Sequence, residues 1–89
     1  MKLTEGFELR TLAGHNIAVP ASSKNIDFSH VLILNETALT LWKHMAKGDF
    51  TADDLARVLT GTYEVSQEEA TADVGQLLEN MRELGMIED

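Results

Sequence analysis

The sequence predicts an α+β fold. Two-residue alternation of apolar and polar side chains is confined to the residues before Asn35, whereas apolar residues after it recur at the i, i+3, i+4 spacing of helices. Short connections separate the segments, so three strands followed by three helices form a small antiparallel sheet against a helical cluster. The segment "HVLIL", His30 to Leu34, departs from simple alternation. A half-exposed strand normally keeps one polar face, yet Val31, Leu32, Ile33 and Leu34 put apolar side chains on both.

Each element has its own local signal. Phe7, Leu9 and Thr11 alternate with Glu8, Arg10 and Leu12, and "AGHN" supplies Gly14 and Asn16 for a tight turn before Ile17, Ala18 and Val19, which predicts a β-hairpin. Pro20 lacks an amide donor and marks the end of the second strand or an edge position. "ASSKNIDFS" is a polar loop in which Ile26 and Phe28 act as anchors on the way to the third strand. Asn35 caps the first helix, with Glu36 placed well by its positive end, and Ala38, Leu41, Trp42 and Met45 form its buried face before Gly48 stops it. Thr51 and Asp54 make a capping box for a second helix with an inner face of Leu55, Val58, Leu59 and Tyr63; Phe50 is placed to staple onto Leu55. Ser66 and Glu69 form a capping box for the third helix, which turns Ala70, Val74, Leu77, Leu78, Met81 and Leu84 inward and stops at Gly85. Met86 and Ile87 fold back as an apolar cap. The natural architecture for this order is winged-helix-like.

Residues 1–89 are read as a single domain near the lower size limit for a core without disulfides or metal. Cysteine is absent, which removes disulfides, thiolate metal sites and a cysteine nucleophile, and suits a reducing compartment. "MKLTEGFELR" has no continuous apolar stretch of a signal peptide, and no segment approaches the roughly 20 apolar residues of a membrane span. A soluble, cytoplasmic protein without membrane contact is therefore expected. The net charge of −8 is concentrated after Asp49, where only Arg57 and Arg82 are basic. That surface reads as a solvated acidic face, and it repels phosphate backbones and anionic lipids.

Convergent catalytic chemistry is missing. His15, His30 and His44 fall in a turn, a strand and a helix without metal-ligand spacing, so no metal site is expected. Ser22 and Ser23 lack a nucleophile elbow, and the scattered glycines form no phosphate-cradling loop. The pairs Asp53–Asp54 and Glu68–Glu69 sit in first helical turns, where the helix dipole accounts for them. No catalytic residue and no cofactor is expected, and the protein is read as a non-enzyme. The third helix, with Glu68, Glu69, Asp73, Glu79 and Glu83 against Arg82, has the wrong sign for nucleic acid, so none is expected as a partner.

Soluble proteins blunt sheet edges with charge, proline or a bulge. Glu8 and Arg10 protect the first strand and Pro20 ends the second, but His30 to Leu34 has no such device. At an edge it is a template for an added peptide strand; alternatively it is the central strand, covered on both faces.

"VLILNETALTLW", "AD" and "LLENMRELGMI", in this order and spacing, resemble the PqqD-like family, the small peptide chaperones also called RiPP recognition elements. Leu34-Asn35-Glu36-Thr37-Ala38 is the most specific piece, supported by Asp73 and Leu84-Gly85-Met86-Ile87, and the likeness covers essentially the whole chain. The resemblance implies a peptide chaperone or adaptor that binds the leader of a ribosomally made precursor peptide and presents it to a modifying enzyme, in many pathways a radical S-adenosylmethionine (radical SAM) protein. It further implies that the leader adds as a strand in the cleft between the third strand and the third helix. Carried onto this sequence, that is pairing with Ser29, His30, Val31, Leu32 and Ile33, and contact with Asp73, Gln76, Leu77, Asn80 and Met81. Leu77 and Leu78 point about 100° apart on a helix, so either can line the cleft. Asn35-Glu36-Thr37 is read as a strand-to-helix cap, and Trp42 as core. The alternatives are a winged-helix regulator and a homodimer formed through the open third strand.

Overall fold

A computed structural model describes residues 1–21 and 31–88. Its elements are β1 (Lys2–Leu3), β2 (Phe7–Leu12), β3 (His15–Pro20), β4 (Leu32–Leu34), α1 (Glu36–Met45), α2 (Ala52–Thr62), α3 (Gln67–Glu83) and β5 (Ile87–Glu88). The α+β order expected from sequence holds: an antiparallel sheet in the order β2-β3-β4 is followed by three helices. No helix among the described residues is long and apolar enough to cross a membrane.

Hairpin β2–β3 is joined at Ala13 and Gly14, with Leu12 opposite His15. Both turn residues have positive φ, 51° at Ala13 and 82° at Gly14, as a two-residue turn matching the twist of a hairpin requires. Register then settles the faces of the sheet. Leu9, Ala18 and Leu32 align across the three strands, and Ala18, Leu32 and Leu34 enter the helical core with Phe7 and Leu9 packed beside them. On the opposite face Arg10, Ile17 and Ile33 align; there Ile17 is buried, Ile33 is 61% exposed, and Arg10 forms an ion pair with Glu8 at 2.7 Å.

Helix boundaries follow local chemistry. Thr51 and Asp54 close a complete capping box: the Asp54 amide donates to Thr51 Oγ1 at 3.1 Å and the Thr51 amide to Asp54 Oδ2 at 2.9 Å. At Ser66 the hydroxyl accepts from the Glu69 amide at 3.1 Å, which is the serine half of the box expected there. α1 ends at Met45 with Ala46 as its C-cap, ahead of the Gly48 expected from sequence. α3 ends in a Schellman motif: the Met86 amide donates to the Met81 carbonyl at 2.8 Å and that of Gly85 to Arg82 at 3.1 Å, with Gly85 at φ +72°. That turn sends Met86 into the core and Ile87–Glu88 onto Lys2–Leu3 as the small sheet β1–β5. Sequence reading left this two-stranded sheet out, because two-residue strands carry no periodicity.

The core is built from one face of each helix. Leu41, Trp42 and Met45 of α1, Leu55, Ala56 and Leu59 of α2, and Ala70, Val74, Leu78 and Met81 of α3 are buried together with Phe50 and Met86. Each large side chain so buried contributes about 1.5–3 kcal/mol against exposure. Val58, Tyr63, Leu77 and Leu84, expected inside, are only partly buried at its margin. A hydroxyl pair, Thr40 Oγ1 and Tyr63 Oη at 2.8 Å, ties α1 to the end of α2.

Candidate functional site: a groove between a sheet edge and a helix

β4 lies at the edge of its sheet, with β3 on one side and no strand on the other among the described residues. Among the described residues β3, not β4, occupies the middle of this sheet. Side chains of β4 alternate, with Leu32 and Leu34 buried and Ile33 exposed. The second apolar face is therefore not covered by helices; it surfaces at a lip.

Asn35 turns the chain sharply from this edge into α1. Its backbone is extended (φ −77°, ψ −177°), and its Oδ1 accepts from the Ala38 amide at 2.9 Å and the Thr37 hydroxyl at 3.0 Å. The corner places Thr37 and Ala38 at one part of a groove whose sides include Leu32 and Ile33 from β4 and Asp73, Gln76, Leu77 and Asn80 from α3. Leu41 and Leu59, both core residues, are also part of its lining. The groove has a volume of about 270 Å³.

Helical geometry explains the α3 side. Residues 73, 76, 77 and 80 follow the i, i+3, i+4, i+7 pattern of one stripe, rotated from the buried stripe of Ala70, Val74, Leu78 and Met81. Leu77 therefore lines the groove and Leu78 fills the core. Along the groove stripe Gln76 Nε2 donates to Asn80 Oδ1 at 3.2 Å. Asp73 is the one charged residue among the described lining residues.

The structure thus brings together Leu32, Ile33, Asp73, Gln76, Leu77 and Asn80 of the residues expected from sequence. Met81 is corrected: it is fully buried in the core, one step around the helix from Asn80, and no part of it lines the groove. Val31 is half-buried and precedes the strand, outside the lining. Ser29 and His30 lie outside the described residues. Sequence reasoning missed Ala38, Leu41 and Leu59 as lining, because their helical phase marks them as core and nothing local reveals that the core is open at this point. Asn35 and Thr37, read as a cap, are a cap and also border the groove. A second hollow of about 430 Å³, beside Leu3, Phe7, Trp42 and Met45, contains none of the expected residues.

Comparison with known proteins bears on this architecture. The chain is similar to a solved structure described as "Lasso peptide synthetase B1 complexed with the leader peptide", at 25% identity and a TM-score of 0.68, covering 96% of this chain and 93% of that one. It also shares the fold of "TbiB1 in Complex with the TbiA(beta) Leader Peptide", at 11% identity and a TM-score of 0.74, covering 99% and 95% of the two chains. No curated protein sequence matches the chain. A family model described as coenzyme PQQ synthesis protein D (PqqD) matches residues 17–87, a span that holds β3, β4, all three helices and both sides of the groove. The chain belongs to the PqqD family.

Proposed function

We propose that this protein is a non-catalytic adaptor that binds the leader segment of a ribosomally made precursor peptide by strand addition to β4 and presents the peptide to a modifying enzyme. The observation that carries this reading is the edge of β4, unpaired among the described residues and without charge or proline of its own, facing the α3 stripe across an open groove in a PqqD-family chain. An extended guest satisfies main-chain groups at such an edge, while alternate side chains enter the groove. The similar lasso peptide synthetase B1 structure, itself complexed with a leader peptide, supports the same assignment. A radical SAM enzyme as the receiving partner rests on the family resemblance, whereas the solved neighbour points to a synthetase; both are peptide-modifying enzymes.

The test is titration of ¹⁵N-labelled protein with synthetic N-terminal segments of short reading frames encoded beside its gene. The expected result is perturbation of the amides of Leu32, Ile33, Gln76, Leu77 and Asn80 by one of these segments. Perturbation confined to α2, or none with any segment, overturns the proposal.

A further inference from the structure

We propose that Asp73 is a specificity residue of the groove, selecting guest peptides that carry a lysine or arginine on the side of the strand facing α3. The proposal rests on the strand-addition reading above and adds a chemical rule to it. Among the described lining residues Asp73 alone is charged, and no hydrogen bond or ion pair with another described residue engages its carboxylate. Asp73 is exposed there, so water solvates the charge at no cost. A strand entering between β4 and α3 displaces part of that water. An apolar guest side chain then leaves a carboxylate partly desolvated and unpaired, whereas a cation replaces water with a charge-assisted hydrogen bond.

Spacing extends the rule. Inward-facing side chains of a strand recur every two residues, about 6.6–6.8 Å apart. Asp73 and Leu77 stand one helical turn apart, about 6 Å along α3 at 1.5 Å per residue. A guest basic residue opposite Asp73 therefore has its next inward neighbour opposite Leu77, where an apolar side chain fits. The selected pattern is basic–x–apolar, read in whichever direction the guest runs.

The experiment selects binders to the whole chain from a randomised twelve-residue peptide display library, in parallel for wild type, Asp73→Asn, Asp73→Lys and Glu79→Gln. Glu79 is exposed on α3 outside the groove lining, so its variant changes net charge by the same amount as Asp73→Asn without touching the groove. Circular dichroism checks that each variant is folded. Wild type and Glu79→Gln are expected to enrich a basic residue two positions from an apolar one. Replacing that basic residue by norleucine in a synthetic binder weakens wild-type binding about tenfold, as a charge-assisted contact does, and less at high salt. Asp73→Asn loses the enrichment, and Asp73→Lys shifts it to Asp or Glu. Binders that perturb Leu32 and Ile33 yet show no basic preference, or the same preference in Asp73→Asn, overturn this proposal and leave strand addition standing. Failure to select any binder that reaches the groove overturns both.

Discussion

Leu77 and Leu78 are adjacent, chemically identical and assigned opposite tasks, which makes them a sharp test of how α3 divides its faces. Leu78 is 3% exposed within the core cluster, so Leu78→Ala removes three carbons and leaves an enclosed cavity. Such a change costs about 2–5 kcal/mol. A chain of 89 residues has a total stability of roughly 4–13 kcal/mol at typical values per residue, so this variant approaches or crosses the unfolding threshold. Leu77 is partly buried and borders an open groove. Leu77→Ala loses only part of the transfer free energy and encloses no void, for a cost of about 1 kcal/mol. Its larger effect should appear on binding, where loss of an apolar contact worth about 1 kcal/mol weakens a groove-binding peptide roughly fivefold. Urea denaturation measures the first pair of values and fluorescence anisotropy with a library-selected peptide the second. Equal destabilisation by both variants, with peptide affinity unchanged in Leu77→Ala, would refute the division of α3 into a core stripe and a groove stripe.

Asp54 should make α2 sensitive to acid. The Thr51 backbone N–H, and then the Thr51 hydroxyl, hold its carboxyl below the ordinary carboxylate value. A folded-state pKa below the unfolded one contributes stability that is complete above the unfolded value and lost as pH falls through the folded one. Urea midpoints across the acid range should therefore fall less steeply for Asp54→Asn than for wild type; identical slopes would count against the box as the cause. Ala13 holds φ +51° in the hairpin turn, a region that Asn tolerates better, so Ala13→Asn should stabilise the protein by about 0.5–1 kcal/mol, seen as a Tm rise of a few degrees. Gly85→Ala introduces a Cβ at φ +72° within the Schellman motif and should destabilise by about 1 kcal/mol, although open space surrounds that Cβ. An unchanged Tm would show that the α3 terminus relaxes freely.

Much of this fold was legible in short-range chemistry. Asn35, Thr51, Ser66 and Gly85 mark helix boundaries because caps depend on side chains within three or four residues of the chain end they serve. The position of β4 was not legible, since an apolar strand reads alike at the edge and in the centre, and only its pairing, with β3 alone among the described residues, places it. The groove was half legible for the same reason. Asp73, Gln76, Leu77 and Asn80 follow from helical phase once a cleft is assumed, but phase could not separate Leu77 from Leu78, and it drew in Met81, which the packing of α3 assigns to the core. Leu41 and Leu59 look like core and are core; that the core opens onto a groove there is a property of three elements meeting, which no single segment encodes.

The apolar lip at Ile33 links these points, because it tests whether main chain or side chain carries recognition. Ile33 is 61% exposed on the sheet face opposite Leu32 and Leu34, at an edge where a polar residue would ordinarily discourage unwanted pairing. If the guest is held by its main-chain bonds to β4 and by side chains entering toward α3, the side chain at 33, which borders the groove only at its exposed lip, contributes little so long as strand geometry is kept. Ile33→Thr keeps a β-branched residue at the edge and removes apolar surface already in water. Stability should then change by less than about 0.5 kcal/mol, as for surface substitutions generally, and peptide affinity should stay within about threefold, because pairing depends on backbone groups that the substitution leaves intact. Leu32→Pro is the complementary perturbation: it deletes an amide from the strand while circular dichroism reports whether the fold survives. A collapse of affinity in folded Ile33→Thr would mean that the guest buries the Ile33 side chain itself at the groove lip. Recognition would then draw on side-chain contacts at the groove lip as well as on main-chain pairing with β4.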